Sequence, residues 1–413
     1  MGSFVNFKKL AAAHFLLSFA FEMHTIVLGW QMYVLTRNPL YLGMIGLVGA
    51  VPALSLALFA GHIVDNGEPL VIYKRIITLF LFSAGTTYFS QSEMAKHILL
   101  MGLSGPVLCL FVAAFMVGIS QAFFAPSLFV LTPTLVRRED LHKTSAWQAT
   151  LMQGARVAGP ALGGIVFGWL GIRGAAINIM GLLVMSLICV FLIPTPAEKK
   201  KESTHEPVGK SLFSGAKFVL KHKLLFPAMT LDMLSVMFGG VTALLPIYAA
   251  EILFIGPTGL GFLRAAPAIG AVLVGLCLSK INYKEKAGKY LFLAVAGFGM
   301  SILVFALSKN YILSFAALFL SGVFDNISMV IRIAVVQLSS PDSMRGRISS
   351  VNSIFTGASN ELGEFESGVT AKLMGAVGSA VLGGIVCLIT VVTLAALSRD
   401  LRKLNLSKLQ KNE

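Results

Sequence analysis

Long apolar runs separated by short polar stretches make up most of this 413-residue chain. A helix that crosses a bilayer core of about 30 Å needs roughly 20 apolar residues. By that measure the pattern predicts twelve spans, near residues 10–36, 40–64, 72–92, 98–131, 145–169, 172–194, 223–251, 257–280, 287–307, 310–338, 345–375 and 378–398. The stretch 92–110 fits least well, because Gly102, Gly105 and Pro106 interrupt it. The first run follows Lys8 and Lys9 and exceeds a signal-peptide core. It has no evident small-residue cleavage site, so it reads as a retained helix.

The most polar stretch, 195–222, divides the chain nearly in half and leaves six predicted spans on each side. The expected organisation is a first bundle at 1–194, a cytoplasmic linker at 195–222, a second bundle at 223–398 and a tail at 399–413. The halves repeat weakly. Glu22 in the first span has a counterpart in Asp232 of the seventh, and Leu42-Gly43 in Leu260-Gly261. Gly159, Gly164 and Gly171 match Gly363, Gly368 and Gly375 at a constant offset of 204. Such repetition is expected of a membrane protein built from two related halves.

Composition supports the membrane reading. The chain is 56% hydrophobic and 13% charged, against about 25% charged in soluble domains, and its mean hydropathy is +0.81. The formal charge of +14 is not spread like a nucleic-acid footprint; most of the 33 Lys and Arg fall between apolar runs on one side. By the positive-inside rule both termini are cytoplasmic, which requires an even number of spans. Cys109, Cys189, Cys277 and Cys387 each lie inside an apolar run, so no disulfide framework is expected.

Four stretches carry a family resemblance. They are Trp30–Leu47 (WQMYVLTRNPLYLGMIGL), Gly61–Arg75 (GHIVDNGEPLVIYKR), Gly154–Gly164 (GARVAGPALGG) and Asp325–Gly368. Together they resemble the major facilitator superfamily, and within it the branch of enterobactin exporter-like transporters. The resemblance implies an all-α fold of twelve transmembrane helices in two pseudo-symmetric six-helix bundles, set in a bacterial inner membrane. In the second stretch Gly61 and Asp65 fit the superfamily's loop between helices two and three, a gating element. Asn66 stands where that loop has arginine and Glu68 falls in its basic part, so the latch looks weakened. An acid at a helix start, as Asp65 is read here, complements the helix dipole. Gly159 and Pro160 belong to a motif associated with export: small residues let helices approach closely, and the proline can bend its helix. Arg345 and Arg347 read as positioning and topology residues in a cytoplasmic turn.

Charges inside spans cost roughly 2.5–3.5 kcal/mol each at the bilayer centre and normally face a partner or a wet cavity. The acids are Glu22, Asp232, Asp325, Glu361, Glu364 and Glu366, and the bases Arg156, Arg264 and Arg332. Asp325 and Arg332 share a face two turns apart. Arg332 has two readings, pairing with a substrate anion or with a carboxylate such as Glu361. Glu361 and Glu364 share a face, and two close carboxylates do not both ionise easily. Proton coupling, bracing against Arg156 and Arg332, and substrate contact all remain open for them. Glu22 and Asp232 are candidates for a proton or a cationic substrate. His24 lies about 200° from Glu22 around the helix, so the two make no metal pair; no metal or cofactor is expected. Phe21, Trp30, Phe123, Phe124 and Trp147 either line a cavity or pack helices.

No phosphate-binding glycine loop of the G-x-x-x-x-G-K-S/T pattern occurs, and no nucleophile–base constellation emerges, so an enzyme is not expected. The leading expectation is a monomeric, proton-coupled exporter of a small amphipathic molecule, such as a siderophore or drug, working by alternating access. Its partners are that substrate, protons and membrane lipid, with no nucleic acid. The rivals are a proton-coupled importer of a polycarboxylate siderophore or other organic anion, and a non-transporting receptor or scaffold.

Overall fold

The computed structural model describes residues 2–100, 102–136, 140–194, 208–278, 284–341 and 344–409, and helix dominates it. The first two helices are α1 (Gly2–Thr36) and α2 (Pro39–Asn66). The side chain of Asn38 accepts from the Leu40 amide and so caps α2, while Pro39 fills the first helical position, where a missing N–H costs nothing. Helix α3 (Pro69–Phe89) follows after only Gly67 and Glu68. The expectation that Asp65 complements a helix start therefore fails. Asp65 stands in the last turn of α2, at its negative end, because Pro69 sets the next start beyond it.

The expected start of a span at 98 also fails. A short helix α4 (Glu93–Lys96) leads into a hairpin of β1 (Leu99–Leu100) and β2 (Leu103–Ser104), with Gly102 at φ 78 between them. Helix α5 (Gly105–Leu135) starts only there, with Pro106 in its first turn. Gly105 and Pro106 thus begin the helix. A Cβ on Gly105 would lie 2.0 Å from the Ala95 carbonyl oxygen, so α4 packs on bare backbone.

Helix α6 (Leu141–Phe191) has 51 residues and α13 (Arg345–Leu397) has 53. Each is two helices joined across a kink, and its residue count is more than twice the roughly 20 that one crossing requires. Each holds one break: Gly171 at φ 64 in α6 and Gly375 at φ 81 in α13. Only glycine adopts these conformations without strain. Ten helices among the described residues, α6 and α13 included, are long and apolar enough to cross a membrane.

Between them lie α7 (Val208–Lys221), α8 (Leu225–Gly239), α9 (Leu245–Ile247), α10 (Gly256–Leu278), α11 (Ala287–Leu307) and α12 (Tyr311–Leu338). The seventh predicted span corresponds to one crossing-length run, Leu225–Ile252, whose regular helix α8 ends at Gly239 and which a 3-10 turn (Thr242–Leu244), α9 and a π turn (Tyr248–Ile252) complete. Two short helices, α14 (Arg399–Arg402) and α15 (Leu406–Leu409), close the chain. Of the expected linker, 195–207 lies outside the described residues.

The chain forms two compact units. The first comprises Met1–Lys201 with Pro246–Ala265, the second Glu202–Leu245 with Ala266–Glu413. Leu17 and Met23 of α1, Tyr73 and Phe80 of α3, Leu131 of α5 and Ile179 of α6 centre the core of the first. Met229 of α8, Leu291 of α11, Ile331 and Val335 of α12 and Cys387 of α13 centre the second. Lipid is as apolar as these side chains, so close packing must hold the helices together. Glycines supply it in both units. A Cβ on Gly118 of α5 would lie 2.0 Å from the Gly49 carbonyl oxygen of α2, and one on Gly322 of α12 would lie 1.9 Å from that of Pro267 in α10.

Candidate functional site

A pocket of about 190 Å³ opens in the first unit, lined by four helices. The lining follows helical spacing. Leu17, Ser18, Phe21 and Glu22 form one face of α1, and Val117, Ser120, Gln121 and Phe124 one face of α5. Ile76 and Phe80 of α3, and Met152 and Arg156 of α6, each add a pair one turn apart. The apolar part of the wall combines Leu17, Ile76, Val117 and Met152 with three rings: Phe21 and Phe80 meet edge to face at 6.4 Å, and Phe124 stacks on His14 at 4.8 Å.

The polar groups of this pocket are unevenly satisfied. Ser120 donates to the Met116 carbonyl at 3.0 Å. Ser18 is only 7% exposed, and its Oγ has no hydrogen-bond partner. The Glu22 carboxylate feels two cations, Arg156 across the pocket and Arg264 of α10. Among the described residues neither guanidinium makes an ion pair within 4.0 Å. Gly159 lets α6 approach α1 closely at this point, because a Cβ there would lie 2.6 Å from the Glu22 Cβ.

The second unit arranges its charges differently. Arg332 of α12 donates to the Asp232 carboxylate of α8 in a direct ion pair, with the two side chains 6% and 5% exposed. Arg332 also donates to Thr356 Oγ1 at 3.2 Å, while its Nε has no partner. Asp325 lies at the surface of its unit and acts electrostatically on both members of the pair. Sequence alone left Arg332 between a substrate anion and a carboxylate such as Glu361; the fold adds Asp232, one hundred residues away. Glu361, Glu364 and Glu366 are all half-buried on α13.

The remaining candidates are dispersed. Trp30 is buried at 9% exposure and lies outside the pocket. Phe123 packs against the core, and Trp147 is exposed. His24 is buried and shares a 2.9 Å hydrogen bond with Thr87, the role of a core histidine. Gly61 has open space where a Cβ would point, so nothing packed there requires glycine. Helix α6 runs on through Pro160 and breaks only at Gly171. The Gly-Pro stretch instead serves close approach: a Cβ on Gly261 of α10 would lie 2.4 Å from the Pro160 carbonyl oxygen, and one on Gly164 2.9 Å from the Gly261 Cα. Arg347 reaches Ser214 Oγ at 3.4 Å and seats α7 on α13. The side chains of Asp65 and Arg345 lie outside the described residues.

Sequence reasoning missed Ser18, Phe80, Gln121 and Met152. Their signal is register. Once Glu22 seeds the site, positions three and four residues away on α1 share its face, but which faces of α3, α5 and α6 meet it is set by packing.

Two bundles' worth of apolar helices, glycine-mediated crossings and charges buried at depth define a multi-pass membrane transporter. The model of the transmembrane secretion effector family matches residues 4–412, and the chain belongs to that family of the major facilitator superfamily. Among curated relatives it is 27% identical over 293 residues to the enterobactin exporter EntS of Escherichia coli O1:K1, covering 69% of this chain and 65% of the relative. The same figures hold for EntS of Shigella boydii serotype 18. The match thus spans less than two thirds of the relatives' length. Among solved structures, a POT family transporter in complex with 5-aminolevulinic acid superposes with a TM-score of 0.74 at 12% identity, over 96% of each chain. A bacterial homologue of the iron transporter ferroportin in its inward-facing state gives 0.69 at 16%, over 96% of this chain and 98% of that one. At such identities these two likenesses speak for the fold alone.

Proposed function

We propose that this protein is a secondary exporter of a small amphipathic molecule, of the siderophore or drug class, and that the pocket of the first unit is its substrate site. The observation that carries the reading is the pocket itself, whose aliphatic and aromatic walls hold one carboxylate and one guanidinium. A substrate with an apolar body and a polar group matches such a lining. Membership of a secretion family and the likeness to enterobactin exporters support the outward direction.

The same proposal includes twelve spans in an inner membrane, with α6 and α13 each crossing twice around Gly171 and Gly375, and both termini in the cytoplasm. The two six-helix halves exchange access, and protons drive the exchange. The Asp232–Arg332 pair is the coupling element best placed for this. A proton on Asp232 removes the carboxylate charge and releases Arg332, so protonation and rearrangement are linked. Asp325, Glu361 and Glu364 are further carboxylates of the same unit that can share the proton, and Glu22 lies in the substrate pocket itself.

Inverted vesicles test this directly. A proton gradient, acid inside, should drive accumulation of at least one member of a siderophore and drug panel. Accumulation confined to right-side-out vesicles would overturn the export direction. One observation favours a second reading, import of an organic anion: Arg156 and Arg264 lack close ion-pair partners among the described residues. Gln replacements at Arg156, Arg264 and Arg332 discriminate, because loss of uptake into right-side-out vesicles by a folded variant supports import.

A further inference from the structure

We infer that the pocket of the first unit selects a single-ring aromatic monoanion, an inference that rests on reading this pocket as the substrate site. Size sets the ring count. An engineered apolar cavity of about 150 Å³ holds one benzene. The pocket's 190 Å³ therefore accommodates a phenyl ring with one carboxylate-sized substituent. The walls set the ring's nature. Phe80 and Phe124 stand with Phe21 around the space, and rings pack against rings by stacked or edge contacts.

Charge sets the sign. With Glu22 ionised, Arg156 and Arg264 leave one positive charge uncompensated, and neither makes a close ion pair among the described residues. Arg156 stands exposed at the pocket and Arg264 is half-buried, so the uncompensated charge attracts an anion that enters there. One ligand anion removes the excess, a neutral ligand leaves it, and a cation adds to it. Arg156 lines the pocket, and its planar fork matches a carboxylate through paired hydrogen bonds. Ser18 supplies an independent sign of a ligand. Its hydroxyl is buried and unpartnered at the pocket wall, where a buried polar group normally has a partner. An anionic oxygen is an acceptor for it.

The experiment uses the full chain, purified in detergent, and three probes of one shape: benzoate, benzamide and benzylamine. Isothermal titration at neutral pH should show benzoate binding about tenfold or more tighter than benzamide, the scale of one charge-assisted hydrogen bond, with benzylamine weakest. Arg156→Gln should bring benzoate down to the benzamide level, while Arg156→Lys, which keeps the charge and loses the fork, should retain only part of the preference. Glu22→Gln should tighten benzoate, because it removes the competing carboxylate. Equal binding of benzoate and benzamide, benzylamine binding as tightly as benzoate, or no binding by any probe overturns the inference. The wild-type comparison needs no variant to fold. Export of a panel member by vesicles together with absent benzoate preference sinks this inference alone. Benzoate preference without any export supports it and removes the exporter reading.

Discussion

Each unit carries a carboxylate on a long apolar helix, Glu22 on α1 and Asp232 on α8, and the two are surrounded in opposite ways. Asp232 is locked in a buried ion pair with Arg332. Glu22 borders a pocket and feels two guanidinia, neither of them in ion-pair contact with it. The scaffold features repeat more faithfully than the charges. Gly171 and Gly375 both break their long helices with a positive φ, 64 and 81. Gly159 presses on α1 at Glu22, and Gly363 presses on α8 at Met237, more than a turn past Asp232. Backbone features of a repeat are constrained by packing, whereas side-chain charges are free to diverge once each half has its own task. An open arrangement of charges suits a ligand that comes and goes. A closed pair suits a switch whose two states differ by one proton.

The largest expected effect breaks this contrast if it is absent. Asp232→Asn leaves Arg332 buried without its partner and should destabilise the protein by about 3–5 kcal/mol. Glu22→Gln removes no close ion pair and should change stability by less than about 1 kcal/mol. Thermal unfolding in detergent reads both. Combining Asp232→Asn with Arg332→Gln should recover part of the loss. A double variant that is no better than Asp232→Asn would show that the pair is not the cause.

The next effect sharpens the repeat. Cβ atoms at Gly159 and Gly363 would each come within 2.6 Å of an α1 or α8 atom. Gly159→Ala and Gly363→Ala should therefore each cost about 1–3 kcal/mol through overpacking. At Gly61 nothing lies within 4 Å of a Cβ, so Gly61→Ala should be neutral, or stabilising by up to about 1 kcal/mol through helix propensity. Equal losses at all three sites would argue against packing as the reason for these glycines.

The smallest effect concerns the start of α8, the helix that carries Asp232. His222 Nδ1 accepts from the amides of Leu224 and Leu225 at 3.2 and 3.3 Å, and partial burial lowers its pKa below the ordinary 6.5. The neutral ring is the capping form, so its stabilisation is complete above pH 6.5 and is lost as pH falls through the lower folded value. A helix cap is worth about 1 kcal/mol. Unfolding midpoints measured on the acid side should fall less in His222→Asn, whose side chain can cap without titrating, than in the wild-type chain.

Much of this was legible along the chain. Apolar run lengths carry the helical membrane class, and the motif stretches carry the family. Glu22, Arg156 and Phe21 stand out because polar or aromatic groups at depth need a reason, and all three line the pocket. Asp65 was misread because its position depends on which side of Gly67 a helix ends, and Pro69 decides that. The hairpin before α5 hid in an apolar stretch, since Leu99 and Leu100 look like membrane residues until Gly102 turns the chain.

The sequence by itself determined that this chain lives in a bilayer, how its apolar segments are spaced, and which ionisable groups are buried in them. Hydropathy and run length are properties of a line, and the cost of burying charge depends on residue type. Only the tertiary structure decided what each charge meets: that Asp232 closes on Arg332, and that Glu22 shares a pocket with Ser18, Gln121 and Phe124. The physical reason is range. Ion pairs and pocket walls act over a few ångströms between helices far apart in sequence, so which faces meet is settled by how the glycines let those helices pack.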